Sequence, residues 1–151
     1  MTEMRKQAIR HLELTIGYAE ALLENSERDW RTPVETGKWT VAEVIGHLIP
    51  WDEFVLYNRI PYFTHGERMP KSPDAEQVNS RASIDSQKRT IEETIRQFIQ
   101  GRQMIIHALL EIDERLWEKE FVIGSISQYL KGLAQHDQHH FDQIQNVLSR
   151  R

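Results

Sequence analysis

Three of the chain's seven histidines fall in one stretch near its C-terminal end, Gln135-His136-Asp137-Gln138-His139-His140, inside an apolar pattern of helical spacing. Imidazole is the ligand that a borderline divalent metal favours. Ile126, Leu130, Leu133, His140, Ile144 and Val147 recur at steps of three, four and seven, and His136 falls on the same face. Being four apart, His136 and His140 project to one side of a helix with Cβ atoms about 5–6 Å apart, close enough to share an ion. His139 belongs with Gly132, Gln135, Gln143 and Asn146 on a polar face and is read as solvated.

Two histidines do not make a site, and a further protein ligand must come from elsewhere in the chain. The best candidate is His47, in Trp39-Thr-Val-Ala-Glu-Val-Ile-Gly-His-Leu-Ile-Pro-Trp51, again within a mostly apolar run. The expected centre is therefore His47, His136 and His140, held between two helices. Three neutral imidazoles leave a divalent ion its full charge and an open position, as catalytic sites do. Such an ion pulls the pKa of a bound water towards ~7 or binds a thiol as its thiolate. The competing reading makes these residues buried histidines bonded within a core, and a surface-interaction module is a third.

The elements that would position them read as helices. Ile9, Leu12, Ile16, Ala19 and Leu23 form a stripe from Thr2 to Asn25, and Ser26 to Lys38 reads as a connecting loop. Thr40 and Glu43 form a capping box, with Trp39 placed to pack on Val44 as a hydrophobic staple, so a helix starts here and carries His47. Pro50 predicts a kink near His47, because its ring removes an amide and crowds the Gly46 carbonyl. Trp51 could wall the pocket, although a core position accounts for it as well. Pro61 to Pro73 reads as a loop. Helical pattern returns from Asp74, with a break near Ser86, and runs strongly through Ile91, Ile95, Phe98, Ile105, Leu109 and Ile112. In that helix Gly101 could allow close packing, and His107 reads as exposed. After the connection Asp113–Gly124, Ser125 and Gln128 make a second capping box and open the last helix. Four amphipathic helices without a strand predict an all-α four-helix bundle, whose metal sites lie on inward faces.

Composition narrows the function. A chain of 151 residues is the size of one domain, here 1–151. A net charge of −4 disfavours nucleic acid. No cysteine is present, which excludes disulfides, thiolate ligands and a cysteine nucleophile. With no signal-like or membrane-spanning apolar segment, a soluble cytoplasmic protein is expected. Of the carboxylates near the ligands, Glu43 could receive the second N–H of His47, but its capping role already accounts for it. Asp52 and Asp137 are read as comparable candidates, with surface solvation the simpler account of each.

The order Trp39-Thr-x-x-Glu-x-x-x-His47, followed late by His136-Asp-x-x-His-x-x-Gln-Ile144, resembles the DinB-like (YfiT-like) family of four-helix-bundle metalloproteins over nearly the whole chain. The resemblance marks His47, His136 and His140 as metal ligands and implies an up-down-down-up bundle that often forms homodimers. It further implies a metal-dependent enzyme acting on a small molecule; three nitrogen ligands by themselves make zinc or nickel the expected metal, with iron or manganese compatible. Some members use a low-molecular-weight thiol such as bacillithiol or mycothiol for S-transfer or isomerisation; hydrolysis and non-catalytic metal binding are the alternatives. No residue marks which thiol, if any, binds.

Overall fold

The computed structural model describes residues 1–66 and 68–150. Among the described residues there are seven α-helices: α1 Glu3–Leu22, α2 Glu27–Trp30, α3 Val41–Asn58, α4 Ile60–His65, α5 Ala75–Lys88, α6 Ile91–Glu111 and α7 Ile126–Ser149. A 3₁₀ turn, Glu114–Leu116, lies between the last two. Among the described residues there is no strand, only two isolated bridges, Pro33 with Thr40 and Phe121 with Gly124.

The starts of the long helices are written in the sequence. Thr2 accepts from the Arg5 amide at 3.2 Å, and Asp74 from that of Gln77 at 3.2 Å. Full capping boxes form at Thr40 with Glu43, at Ser125 with Gln128, and at Thr90 with Glu93. The last of these places the break before α6 at Arg89–Thr90, three residues beyond the expected break near Ser86. Two expected loops also contain helix. Between Ser26 and Lys38 a capping box of Ser26 with Asp29 opens α2, whose Trp30 is fully buried and donates to the Leu22 carbonyl at 2.9 Å. The segment 61–73, apart from Glu67, which lies outside the described residues, begins in α4, where Pro61 occupies a first-turn position that needs no amide donor. That helix ends at Gly66 in the left-handed conformation, φ 69°.

Helices α1, α3, α6 and α7 form the bundle. His11 meets Asp137 and Tyr18 meets Gln145, so α1 and α7 run parallel. Arg5 reaches the Leu110 carbonyl while Thr15 meets Arg102, so α1 and α6 are antiparallel. On the outer flank of α3, Glu43 bonds Ser83 and Trp51 bonds Asn79, which makes α5 an antiparallel return helix. Because α5 carries the chain back, α6 runs in the direction of α3. The result is the expected up-down-down-up order. Three sides of the bundle are closely packed, α3 on α6, α6 on α1 and α1 on α7; the α3–α7 side is the loosest.

The apolar core has two clusters. One gathers Ala19, Leu22, Trp30, Val44, Ile45, Leu48, Ile95, Phe98, Phe141 and Ile144; the other gathers Leu12, Val55, Phe63, Ile105, Leu109, Trp117, Ile126 and Leu130. Between them lie charged groups. In α1 the buried phase is Arg5, Ile9, Leu12, Thr15, Ala19 and Leu22, so Thr15 and Leu22 stand where the sequence pattern suggested Ile16 and Leu23. Gly46 is a close approach of α3 to α5: a Cβ there would lie 1.7 Å from Ser86 Oγ and 2.8 Å from its Cβ.

Candidate metal centre

His47, on α3, meets His136 and His140, on α7, across the loosely packed side of the bundle. Their ring nitrogens can be chosen so that all lie within 4.8 Å of one another. The His47 ring lies 4.6 Å from that of His140 and 5.9 Å from that of His136, centroid to centroid. Burial grades across the trio: His47 is 3 % exposed, His140 half-buried and His136 exposed. The site is thus rooted in the core on one side and open on the other.

Hydrogen bonds select which nitrogens face inward. His47 Nδ1 contacts the Val44 carbonyl, an acceptor only, so Nδ1 carries the proton and Nε2 keeps its lone pair. His140 Nδ1 donates to Gln143 Oε1 at 3.0 Å, which leaves its Nε2 free in the same way. That atom stands 3.2 Å from His136 Nε2. A tetrahedral ion with metal–nitrogen bonds of about 2.0 Å needs ligand atoms roughly 3.3 Å apart. Burial, then the facing His140, push the His47 pKa down to about 4, and burial pushes His140 down as well. Both are therefore neutral at pH 7, the form that ligates. Donor type, tautomer, spacing and charge all suit a divalent ion.

The neighbours differ from expectation in several places. Trp39 packs its ring 4.8 Å from His47 and forms a wall of the site, whereas Trp51 turns to α5 and donates to Asn79 Oδ1 at 2.8 Å. Glu43 does not receive the His47 proton: its carboxylate accepts from Thr40 N and Oγ1 at 3.2 and 3.0 Å and from Ser83. The acceptor is instead a backbone carbonyl one helical turn back. Helix α3 continues through Pro50. His139 and His107 are exposed, as expected, and His107 lies 3.2 Å from Glu111.

A model of the DinB superfamily matches residues 7–144. The chain belongs to the DinB superfamily. No curated protein matches it by sequence. Among solved structures it is similar to YfiT from Bacillus subtilis, described as a probable metal-dependent hydrolase with an unusual four-helix bundle topology. That likeness has a TM-score of 0.77 at 17% identity and covers 99% of this chain and 89% of the other. It is also similar to a mycothiol-dependent maleylpyruvate isomerase, with a TM-score of 0.70 at 16% identity, covering 95% of this chain and 63% of that longer one. At these identities the likenesses establish the fold.

Behind the histidines this DinB chain buries a polar network that the sequence reading did not find. Asp137, expected at the surface, is 2 % exposed, and Asp52 is 7 % exposed. Both carboxylates turn onto Arg102, itself 3 % exposed, which gives Asp52 contacts of 2.8 and 3.1 Å and Asp137 contacts of 2.5 and 3.0 Å. Its fifth N–H reaches Thr15 Oγ1 at 3.4 Å, and His11 Nε2 lies 2.8 Å from Asp137 Oδ2. Burial raises Asp52 to about 6, while the bonds from His11 and Arg102 outweigh burial at Asp137 and hold it near 2. A signal existed. The apolar series of α6 steps by seven from Phe98 to Ile105, and Arg102 fills the gap.

Proposed function

We propose that this DinB protein is a metal-dependent enzyme in which His47, His136 and His140 hold one divalent ion, and that it transfers a low-molecular-weight thiol to an electrophilic small molecule. The convergence of three nitrogens with Nδ1 of His47 and His140 already engaged carries the metal assignment. A structural site would enclose its ion with a further ligand, whereas here His136 is exposed and the trio reaches solvent. Zinc or nickel suits three nitrogens best, with iron and manganese compatible. When bound, the ion supplies Lewis acidity that favours the deprotonated form of a thiol or of water.

The chain's own residues supply the rest. Val44 and Gln143 fix ring orientation, α3 and α7 set the spacing, and Trp39 gives the substrate an apolar surface beside His47. Thiol transfer follows from the sequence resemblance and is supported by the mycothiol dependence of one fold relative. Hydrolysis is the second reading, favoured by the description of YfiT. The acidic balance of the chain, −4, suits a small-molecule substrate rather than nucleic acid. No helix among the described residues is long and apolar enough to cross a membrane. A cytoplasmic homodimer completes the proposal.

The test is elemental analysis of tag-free protein beside His47→Ala and His136→Ala, each checked for helicity by circular dichroism. Near-stoichiometric metal in the parent, lost in both folded variants, is expected. Bacillithiol, mycothiol and glutathione are then offered with 1-chloro-2,4-dinitrobenzene, and p-nitrophenyl acetate is offered alone. Thiol-dependent turnover supports transfer, and turnover of the ester alone moves the assignment to hydrolysis. Absence of metal after reloading with zinc or nickel would overturn the whole reading.

A further inference from the structure

A cavity of about 170 Å³ opens between α1, α6 and α7, and none of His47, His136 or His140 lines it. It lies on the α1 flank of α7, while the histidines face α3. Its walls are largely apolar, including Leu12, Ile105, Leu130 and Leu133, and its polar lining includes His11, Arg102, Asp52 and Lys131. The size matches the roughly 150 Å³ that admits a benzene ring in an engineered core. An apolar pocket with a few convergent polar groups is the usual form of a small-molecule site.

The polar groups define the head that such a molecule would carry. All five N–H groups of Arg102 are spent on Asp52, Asp137 and Thr15, so it offers no free donor. Both oxygens of Asp52 are turned onto that guanidinium and present no free carboxylate. Ser127 donates to Glu118 at 2.6 Å, which occupies its hydroxyl. What remains is the Lys131 ammonium and the Gln7 side-chain amide at the exposed rim, and the second nitrogen of His11, whose Nε2 is held by Asp137 at 2.8 Å. With Nε2 held by the Asp137 carboxylate, Nδ1 is the ring nitrogen left to meet a ligand. Neither a guanidinium fork nor a nest of amides is free, as a phosphate would want; a single carboxylate matches two separate donors.

We propose that this cavity is a binding site for a small monocarboxylate with a ring-sized apolar body, its carboxylate between His11 and Lys131 and its body against Leu12, Ile105, Leu130 and Leu133. The site is independent of the metal reading. Ligand binding there is expected to be the same in chelator-treated and zinc-loaded protein.

The test is titration of the full chain with benzoate, followed by calorimetry and by amide chemical shifts, with benzyl alcohol as the neutral match of equal size. Saturable benzoate binding is expected, at least about tenfold tighter than benzyl alcohol, because a charge-assisted pair replaces a neutral one. Ala8→Leu, which fills the cavity from α1, should abolish binding. Lys131→Met, a change at an exposed position, should weaken it about threefold or more. His11→Gln should weaken it further. Absence of saturable binding to the folded parent overturns the proposal. So do equal affinity for benzyl alcohol, or shifts that centre on His136 and His140 and persist in Lys131→Met.

Discussion

Arg102 and Asp137 meet in the middle of the bundle through two contacts of 2.5 and 3.0 Å, on the residue that directly follows His136 in α7. The same guanidinium grips Asp52 on α3, five residues beyond His47. One side chain of α6 therefore ties together the two helices that carry the histidines, on the side where α3 and α7 have little other contact.

Replacing Arg102 by leucine leaves two buried carboxylates facing each other without their cation. Removing one partner of a buried ion pair costs about 3–5 kcal/mol, far more than a surface pair. Urea denaturation of Arg102→Leu should show a loss of that order. Arg102→Leu combined with Asp137→Asn should lose less than the two single changes added together, because the second removes a charge that the first strands. A loss under about 1 kcal/mol would mean that water, rather than the guanidinium, neutralises these carboxylates.

Gly46→Ala should destabilise the fold although alanine is the better helix former. A Cβ at this position meets Ser86 Oγ at 1.7 Å and its Cβ at 2.8 Å, and Ser86 is fully buried with its hydroxyl on the Ala82 carbonyl. Overpacking of this kind costs about 1–3 kcal/mol. The pair Gly46→Ala with Ser86→Gly should recover most of the loss in a thermal melt, corrected for the added glycine in α5. Equal melting temperatures for the parent and Gly46→Ala would show that α5 can shift outward at no cost.

What the sequence made legible follows the strength of its local chemistry. Thr40 with Glu43 and Ser125 with Gln128 bracketed the two helices that carry the histidines, because a capping box is satisfied within four residues. Arg102 and His11 carry no such local signal, and Asp52 and Asp137 read as solvated, for the opposite reason: each is buried only because the others are. A lone aspartate at 137 reads as surface, and only the fold brings an arginine thirty-five positions away onto it. The phase of α7 shows the same effect. Asp137 and Phe141 take the middle of the buried face, and His136 and His140 move to its edge. That shift is what opens the site.

The metal-free protein should show a specific acid dependence at His47. Its pKa is about 4 in the fold against 6.5 for the free side chain, so between these values the unfolded chain binds more protons. The contribution is present above pH 6.5 and is lost as pH falls to about 4, up to about 3 kcal/mol. Asp52 acts in the opposite sense: raised to about 6 from 3.8, it favours the fold below that window and loses the advantage as pH rises through it. The raw stability curve is therefore flattened. Comparing the parent with His47→Gln by urea denaturation at pH 4.5, 5.5 and 7 isolates the histidine, and the parent should lose more stability on acidification than the variant. Parallel curves would place the His47 pKa near its ordinary value.

Gln143 lies one turn beyond His140 and accepts its Nδ1 proton at 3.0 Å, although by sequence it belongs to the polar face. Removing that acceptor frees the ring to rotate and the tautomer to switch, which puts the proton on the nitrogen meant for the ion. Loss of such an outer hydrogen bond commonly costs about 10–100-fold in metal affinity. Competition against a chromophoric zinc chelator should give a loss in that range for Gln143→Ala, with helicity unchanged, since the side chain is only half-buried. Gln143→Glu should retain or strengthen binding, because a carboxylate accepts the same proton and adds negative charge. His140→Ala, by contrast, should abolish high-affinity binding. If Gln143→Ala binds zinc as tightly as the parent, the orientation of His140 is set by the packing of α7 alone, and the glutamine is a surface residue that happens to lie within reach.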